Sequence, residues 1–343
     1  MKEKIVICTL YESINCGTFL QAYSLKKKLE ELNYDVYFLK LKNDNSSINK
    51  KREKMNLRTF VRKAIRKVKL KFIFKKNSRV FKTISLEEVN SDKDIKKIVI
   101  GSDEIWNVKN NSFKHYKEYF GYNFVGKRII AYAPCSNDSQ REDLENEFKE
   151  INFNNFDFLS ARDKKTKLLL EEFGEKNVAD VVDPTMIVDN FDELNEVVNV
   201  KNYVLIYGHY FDEKQIEEII KFAHTNKYKT VSITKYFPWC DKNLTVSPGK
   251  FLAYIKNADY IITSTFHGSV FSILFNKKFA VYANNGSKIN DLLAKFGLED
   301  RIIKTNIEKT LNTKIDYEKV NSTLKIMKEN SEKYLINALK GDE

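Results

Sequence analysis

Apolar residues along this chain form short runs of strand length, and most runs are followed by a longer segment in which apolar residues recur every three or four positions. Short runs without strict alternation are typical of strands buried on both faces, and the longer spacing is typical of helices that cover a sheet. In the first half, the pattern predicts strands at 5–9, 35–40, 96–101, 128–133 and 157–161, with helices at 18–32, 56–74, 140–152 and 163–173.

The same alternation begins again after Asp183 and Pro184. It predicts an α/β protein with two Rossmann-like, doubly wound domains and a cleft between them. We place the first domain at 1–187 and the second at 188–315, and expect a C-terminal segment, 316–343, to form a helix that packs back across the domains. The second set of predicted strands is 203–208, 229–233, 260–263 and 279–282, and its helices are 212–226, 249–257, 267–276 and 287–297.

Composition narrows the class of protein. A chain of 343 residues is long enough for two domains with separate cores. No segment reaches the roughly 18 apolar residues of a membrane span, and the N-terminus does not resemble a signal peptide. The four cysteines lie far apart, so we expect neither a disulfide framework nor a metal site. These features favour a cytoplasmic protein.

The net charge of +12 is concentrated in one segment, residues 50–82, which contains 15 Lys or Arg and one acidic residue. Its apolar residues recur at helical spacing, which is typical of a basic helix lying on an anionic membrane surface. The alternative is a helix that packs its apolar stripe on the first domain and leaves its basic face in water. We expect no nucleic-acid partner, because the basic charge is confined to this segment. The stripe comprises Leu57, Phe60, Val61, Ala64, Ile65, Val68 and Phe72.

Residues 258–275 carry the clearest candidate chemistry. They predict a short buried strand, a polar loop and then a helix, with His267 at the start of that helix. Backbone N–H groups without partners and the positive end of the helix dipole meet at such a position. The loop is therefore suited to a phosphate or carboxylate ligand.

Other short motifs accompany this loop. They are Asn-Cys-Gly-Thr-Phe-Leu-Gln-Ala-Tyr-Ser-Leu at 15–25, Ile-Gly-Ser-Asp-Glu-Ile-Trp-Asn at 100–107, Ala-Tyr-Ala-Pro at 131–134, Ser-Ala-Arg-Asp at 160–163, Asp-Pro-Thr at 183–185 and a closing segment at 292–302. In this order they resemble the polysaccharide pyruvyl transferase family. The resemblance implies two Rossmann-like domains arranged as in GT-B glycosyltransferases. It also implies transfer of a pyruvyl group from phosphoenolpyruvate to sugar hydroxyls, typically as a cyclic ketal.

The catalytic candidates under this resemblance are His267 and Asp103. An enol phosphate donor needs a proton on its methylene carbon, and histidine can carry one near neutral pH. Asp103 is a candidate general base or a hydrogen-bond acceptor for a sugar hydroxyl, the alternative being a helix cap. His267 has the alternative of packing the loop structurally. His209 is a second candidate, while His115 and His224 are expected at the surface.

The donor-binding candidates combine the loop with two cations. The loop supplies Ser264, Thr265, Gly268 and Ser269, and the cations are Arg162 and Lys288, with Lys235 as a further possibility. Many members of the resembled family carry Arg at the position of Thr265, which cannot supply charge, so another cation must serve or the donor is bound differently. The alternative for Arg162 is a salt bridge with Asp163.

The acceptor-binding candidates lie in the first domain: Asn15, Gly17, Gln21 and Trp106. Trp106 has the alternative of anchoring a turn in the core, and Gly17 that of simply making the turn after the first strand. We interpret Asp183 as a structural residue at a strand exit.

Two other functions stay open. A GT-B glycosyltransferase would use the same fold with a nucleotide-sugar donor, and a glycan-binding protein at the membrane surface would need no catalysis. For the pyruvyl transferase we expect no cofactor, no metal and an acceptor that is a surface polysaccharide or its lipid-linked precursor at the inner face of the cell membrane. The sequence predicts no oligomeric state.

Overall fold

The computed structural model describes residues 2–41, 57–233, 235–283, 287–304 and 306–341. The first part of the chain forms a five-stranded parallel sheet in the order β3-β2-β1-β4-β5. A two-stranded sheet of β6 (Leu159–Ala161) and β7 (Val178–Asp180) follows. The five strands are β1 (Glu3–Cys8), β2 (Tyr34–Leu39), β3 (Thr83–Ile84), β4 (Ile95–Ile100) and β5 (Arg128–Ala131).

The second part repeats this architecture with its own five-stranded parallel sheet, in the order β10-β9-β8-β11-β12. In both sheets the first strand along the chain is central and the order changes direction beside it, which is the arrangement that places ligands at the carboxyl ends of the central strands. The strands are β8 (Tyr203–Tyr207), β9 (Lys229–Ile233), β10 (Lys242–Leu244), β11 (Tyr260–Thr263) and β12 (Phe279–Val281).

Helices cover both faces of each sheet, so the central strands are almost completely buried. Ile5, Val6 and Ile7 of β1 are fully inaccessible to water, as are Val204, Leu205 and Ile206 of β8. The helices are α1 (Cys16–Glu31), α2 (Leu57–Asn77), α3 (Leu86–Ser91), α4 (Arg141–Glu147), α5 (Lys164–Glu172), α6 (Glu213–Thr225), α7 (Pro248–Asn257), α8 (Phe266–Leu274), α9 (Ser287–Lys295), α10 (Ile307–Asn312) and α11 (Tyr317–Lys340).

The predicted fold class is confirmed: the protein is α/β, with two Rossmann-like units. Helix α4 ends at Glu147, whereas the pattern predicted a helix to residue 152. The reason is tertiary packing, because the next segment turns Phe148 and Phe153 into an aromatic cluster around Trp106 and Phe120. The domain boundary at residues 187 and 188 stays a prediction.

Helix α2 exposes to water the apolar stripe that the packing alternative expects to be buried on the first domain. Residues 50–56 of the basic segment lie outside the described residues. Within α2, Leu70 and Phe74 are buried, and Phe74 packs edge-on against Phe19 of α1. The predicted stripe is not buried: Val61 and Phe72 are both exposed. The alternative in which that stripe packs on the first domain is therefore wrong for these residues.

Helix α11 packs back onto the rest of the molecule, as expected for the C-terminal segment. Tyr334 donates to the carbonyl of Ala131 at 2.8 Å, and the hydroxyl of Ser331 accepts from the amide of Val182 at 3.0 Å. Among the helices that the structure describes, none is both long and apolar enough to cross a membrane.

Candidate functional site

The loop after β11 is held by its own side chains. Thr265 is the N-cap of α8, and its hydroxyl accepts from the amide of Gly268 at 3.0 Å. A Cβ atom at Gly268 would lie 2.0 Å from the hydroxyl of Thr263, so only glycine fits there. Helix geometry leaves the amides of Phe266 and His267 without intrahelical partners. They are available to a ligand at the N-terminus of α8.

His267 lies in the first turn of α8 and is almost completely buried. Its Nε2 is 3.7 Å from a carboxylate oxygen of Asp183, and it has no hydrogen-bond partner in the described part of the chain. On the other edge of the ring, a Cβ atom at Gly17 would lie 2.3 Å from Nδ1. The absence of a side chain at Gly17 therefore lets the imidazole lie against the start of α1, with Nε2 on the side of Asp183.

A second helix begins beside this histidine. Asn15 caps α1, and its side-chain oxygen accepts from the amide of Gly17 at 2.8 Å. The N-termini of α1, from the first unit, and α8, from the second, therefore meet at the same point. Each contributes partial positive charge, which favours an anion between the two units.

Arg162 joins the carboxylates of the site. It donates to Asp183 at 2.5 Å and to the hydroxyl of Ser102 at 3.0 Å, and its guanidinium lies 3.9 Å from Asp103. The guanidinium also lies over the ring of Phe266, 4.6 Å from its centroid. The partner of Arg162 is thus Asp183 rather than its neighbour Asp163, which caps α5 by accepting from Thr166.

The buried charges stabilise one another. Burial by itself raises the pKa of Asp183, but the nearby imidazole of His267 and the charge of Arg162 outweigh burial and hold that pKa below its usual range. For Arg162, burial lowers the pKa, while Asp183 and the other acids raise it above its ordinary value. The pair is therefore ionised, and a negative carboxylate faces His267.

Asp103 is buried at the end of β4, on the other side of Arg162. It accepts from the hydroxyl of Thr18 at 2.7 Å and from the amide of Glu104 at 2.9 Å. Its φ of 73° is a left-handed conformation that aspartate adopts more readily than most residues. Asp103 is therefore held by α1, near Arg162 and the N-terminus that faces His267.

Lys288 of α9 contacts Glu104, so this pair also joins the second unit to the first. Burial lowers the pKa of Lys288 to about 8, with Asp103 opposing the shift. A lysine with such a pKa changes charge just above neutral pH.

A sequence profile described as polysaccharide pyruvyl transferase matches residues 15–286. The matched range includes helix α1, Arg162 with its two carboxylate partners, and the loop that carries His267. The chain belongs to that family. No curated protein sequence matches the chain.

Solved structures similar to this family member show the fold. A UDP-GlcNAc 2-epimerase from Neisseria meningitidis, bound to UDP-GlcNAc, has a TM-score of 0.53 at 10% identity, covering 100% of both chains. AviGT4, a glycosyltransferase involved in avilamycin A biosynthesis, has a TM-score of 0.50 at 10% identity, covering 98% of this chain and 97% of its own. These neighbours are GT-B folds, so the predicted GT-B-like architecture is confirmed.

The predicted catalytic pair, His267 and Asp103, lies within this one cluster together with Arg162. Of the predicted donor-binding loop, Ser264 accepts from the amide of His209 at 3.2 Å. The hydroxyl of Ser269 is fully buried and donates to the carbonyl of Thr265 at 3.3 Å. The loop residues other than His267 therefore shape the turn, and Thr265 serves as a cap.

Two predicted acceptor residues are in the core of the transferase. The ring of Trp106 is fully buried, its Nε1 donates to the carbonyl of Tyr119 at 2.7 Å, and it stacks on Phe120. The prediction that Trp106 stacks on a sugar is wrong, because the ring has no exposed face; it anchors the turn. Gln21 is also fully buried and donates to the carbonyl of Leu10 at 2.9 Å, so it does not face an acceptor.

His209 follows β8 and is exposed as a residue. Desolvation by the surrounding protein lowers the pKa of its imidazole, and electrostatic interactions with Lys235 and His267 lower it further. Its neighbour Lys235 donates to the carbonyl of His209. His209 therefore lies at the edge of the same site, at the carboxyl end of a central strand.

Sequence reasoning missed Asp183, which was interpreted as a strand exit. It is fully buried and contacts both Arg162 and His267. The signal was present in the Asp-Pro-Thr element, but a role for the aspartate required knowing that two segments distant in sequence meet there. In the described residues there is no group of three or more His, Cys, Asp or Glu side chains that could hold a metal ion.

Proposed function

We propose that this family member transfers the pyruvyl group of phosphoenolpyruvate to sugar hydroxyls, forming a ketal. The observation that carries the proposal is the buried Nε2 of His267, which has no hydrogen-bond partner in the described residues and lies 3.7 Å from the ionised Asp183 at the junction of two helix N-termini. A proton donor beside an anion site is what an enol phosphate donor requires.

The proposed reaction assigns one step to each group. His267 gives its proton to the methylene carbon of the donor, which becomes a methyl group. Asp103 takes the proton of the attacking sugar hydroxyl, whose oxygen bonds to the carbon that carries the phosphate. A second hydroxyl of the sugar then displaces inorganic phosphate and closes the ketal; its proton leaves with the phosphate, and the proton held by Asp103 restores the one that His267 gave up. Asp183, 3.7 Å from Nε2 of His267, positions the imidazole for the first step.

We assign donor binding to the positive groups around His267. The amides of Phe266 and His267 and the ammonium of Lys288 would hold the phosphate or carboxylate. Arg162 is already paired with Asp183. We therefore assign Arg162 mainly to positioning the two carboxylates, and Lys288, which also contacts Glu104, to supplying the positive charge that Thr265 cannot.

We assign acceptor binding to the first unit, around Asn15 and Gly17 at the start of α1. The acceptor class that the family implies is a glycan. We further propose that it is a surface polysaccharide or its lipid-linked precursor, pyruvylated at the inner face of the cell membrane, with no cofactor besides the donor.

A second candidate function is glycosyl transfer from a nucleotide sugar. It is favoured by the similarity to the UDP-GlcNAc-bound epimerase and to the avilamycin glycosyltransferase. These similarities concern the fold, and the same fold supports many chemistries. The two functions differ in their donor, so donor binding separates them.

The test is calorimetric titration of the purified protein with phosphoenolpyruvate and, separately, with UDP-GlcNAc. We expect saturable binding of phosphoenolpyruvate, weakened by about tenfold or more in Lys288→Gln because a charged contact to the donor is lost. Saturable binding of UDP-GlcNAc with none of phosphoenolpyruvate would overturn the proposal in favour of the glycosyltransferase.

A further inference from the structure

Helix α2 has two apolar faces, only one of which the protein covers. Leu70 and Phe74 face inward, where Phe74 contacts Phe19 of α1. The other face consists of four side chains with large exposed fractions: Val61 (45%), Ile65 (52%), Val68 (68%) and Phe72 (74%). We call these four residues the outer face of α2.

The outer face is a continuous stripe. At about 100° per residue, its four side chains fall within an arc of about 60° on the helix. The described residues include ten large hydrophobic side chains that are exposed, and four of the ten are on this stripe. Single exposed apolar residues need no explanation, but a contiguous patch of this kind marks a surface that another body covers.

Lysines border the stripe on both sides. Lys67, Lys71 and Lys75 follow one edge and Lys69 and Lys76 follow the other, and all five are exposed. No acidic residue occurs between residues 57 and 77. An apolar stripe between two rows of cations complements an interface in which acyl chains lie beneath anionic headgroups. Nucleic acid would match the lysines but leave the stripe in water.

The inner side of α2 is fastened to the second unit. Arg62 donates to the hydroxyl of Tyr236 at 3.0 Å, and Arg66, which is buried, donates to the carbonyl of Lys235 at 3.3 Å and to that of Leu244. The helix is thus held on the body of the protein with its outer face directed to solvent. A cavity of about 570 Å³ lies beside Val68 and Phe72 and is also lined by Leu244, which leaves apolar space next to the stripe.

We propose that the outer face of α2 docks on an anionic phospholipid bilayer, with its four apolar side chains in the acyl–headgroup boundary and the flanking lysines against the headgroups. Docking would orient the junction of the two units relative to the membrane and present it to a lipid-linked acceptor. The proposal concerns the partner of the proposed transferase, but it stands on α2 alone and does not depend on the identity of the donor.

The test is co-sedimentation of the full chain with vesicles, without substrates. Vesicles of phosphatidylcholine containing about one third phosphatidylglycerol are compared with pure phosphatidylcholine, because anionic lipid should supply much of the attraction. We expect the wild type to bind the anionic vesicles and the double variant Val68→Ser/Phe72→Ser to bind them about tenfold or more weakly, since two partly inserted apolar side chains are lost.

Matched controls separate docking from folding. Val197→Ser/Ile326→Ser also removes two exposed apolar side chains, but away from α2, and should bind as the wild type does. Lys71→Gln/Lys75→Gln should weaken binding to anionic vesicles about tenfold or more, while Lys149→Gln/Lys214→Gln, at exposed positions on other helices or loops, should not. Thermal unfolding of every variant, compared with that of the wild type, checks that the variant is folded.

Three results would overturn the proposal. The wild type could fail to bind anionic vesicles, or the Val197/Ile326 control could lose as much binding as the α2 variant. The α2 variant could instead convert a dimer to a monomer without any vesicle binding by the wild type, in which case a second copy of the chain covers the outer face. Calorimetric binding of phosphoenolpyruvate should be the same in wild type and Val68→Ser/Phe72→Ser, which keeps this test independent of the proposed function.

Discussion

At the scale of single residues, the site depends on three buried charged groups that neutralise one another. Arg162 lies between Asp183 and Asp103, with distances of 2.5 and 3.9 Å to their carboxylate oxygens. Desolvating any of these groups alone would be costly, and the pairing offsets that cost. Because Asp183 is ionised and faces His267, the same pairing also places a negative charge beside the proposed catalytic histidine.

Asp183→Asn should therefore be strongly destabilising. It leaves the guanidinium of Arg162 buried without its main partner, which lowers the free energy of unfolding by about 3–5 kcal/mol. The matched control is Asp138→Asn, which breaks an ion pair with Lys165 that is about half exposed at both ends and should cost less than about 1 kcal/mol. Urea unfolding measures both values. Equal losses in the two variants would show that the buried pair contributes no more than a surface pair.

Gly17→Ala should reduce activity more than stability. The new Cβ would lie 2.3 Å from Nδ1 of His267, so the imidazole must move. A displacement of about 1 Å at a catalytic group can cost about 100-fold in rate. Pyruvyl-transfer rate and thermal unfolding are measured together, since alanine in the first turn of α1 should not by itself unfold the helix. Full activity at unchanged stability would show that the position of His267 does not depend on Gly17.

The sequence predicted which residues belong to this site better than it predicted which of them contact each other. His267, Asp103 and Arg162 each stood at the end of a predicted strand or the start of a helix, where parallel sheets place functional groups. Asp183 was missed because its role arises from two segments that meet only in the folded chain. Trp106 was misassigned because an aromatic residue in a turn motif reads the same whether it faces a sugar or the core.

At the scale of elements, the start of α8 shows what Thr265 contributes to the fold. Its hydroxyl caps the helix, accepting from Gly268 at 3.0 Å, and it lies 3.0 Å from the hydroxyl of Thr263. The residue is buried, so a longer side chain would have to leave this pocket. A cap and a donor-binding cation are therefore alternative uses of this position.

Two substitutions of Thr265 should separate the contribution of its hydroxyl group to stability from that of its methyl group. Thr265→Val keeps the volume but loses the cap, and should cost about 1–2 kcal/mol in the free energy of unfolding. Thr265→Ser keeps the cap and loses one methyl group, and should cost less than about 1 kcal/mol. Urea unfolding of the pair checks the order. If Ser proves the more harmful change, packing of the methyl group and not capping explains the residue.

Most elements were predictable because each sheet is buried on both faces. Strands β9 and β11 agree with their predicted limits of 229–233 and 260–263. The edge strands β3 and β10 were not predicted, since two or three half-exposed residues carry no apolar run. The buried face of α2 could not be predicted from the sequence either, because the helix has apolar residues on both sides and only the fold shows which side the protein covers.

At the scale of the whole molecule, the site is formed where the two Rossmann-like units meet. Asp103, Arg162 and Asp183 come from the first part of the chain, and His267 and Lys288 from the second. The contact between Lys288 and Glu104 joins the units at this point. A sequence pattern can predict two units of this type, but which residues face each other depends on how the units pack.

The charge of Lys288 should make donor binding depend on pH. Burial lowers the pKa of Lys288 to about 8, so its positive charge is present below pH 8 and is lost as the pH rises through that value. We expect the affinity for phosphoenolpyruvate, measured by calorimetry, to fall over the same range. In Lys288→Arg the charge persists, and the fall should disappear. The same profile in both proteins would mean that another group controls donor binding.

The most direct test of the proposed function is product analysis in D₂O. Wild type and His267→Gln are incubated with phosphoenolpyruvate and a panel of free and lipid-linked oligosaccharides, and the glycans are examined by mass spectrometry and NMR. Wild type should yield a glycan with a pyruvyl ketal whose methyl group carries one solvent deuterium, with release of phosphate, and His267→Gln should be slower by about 100-fold or more. Glycan products formed from UDP-GlcNAc, with none from phosphoenolpyruvate, would contradict the account.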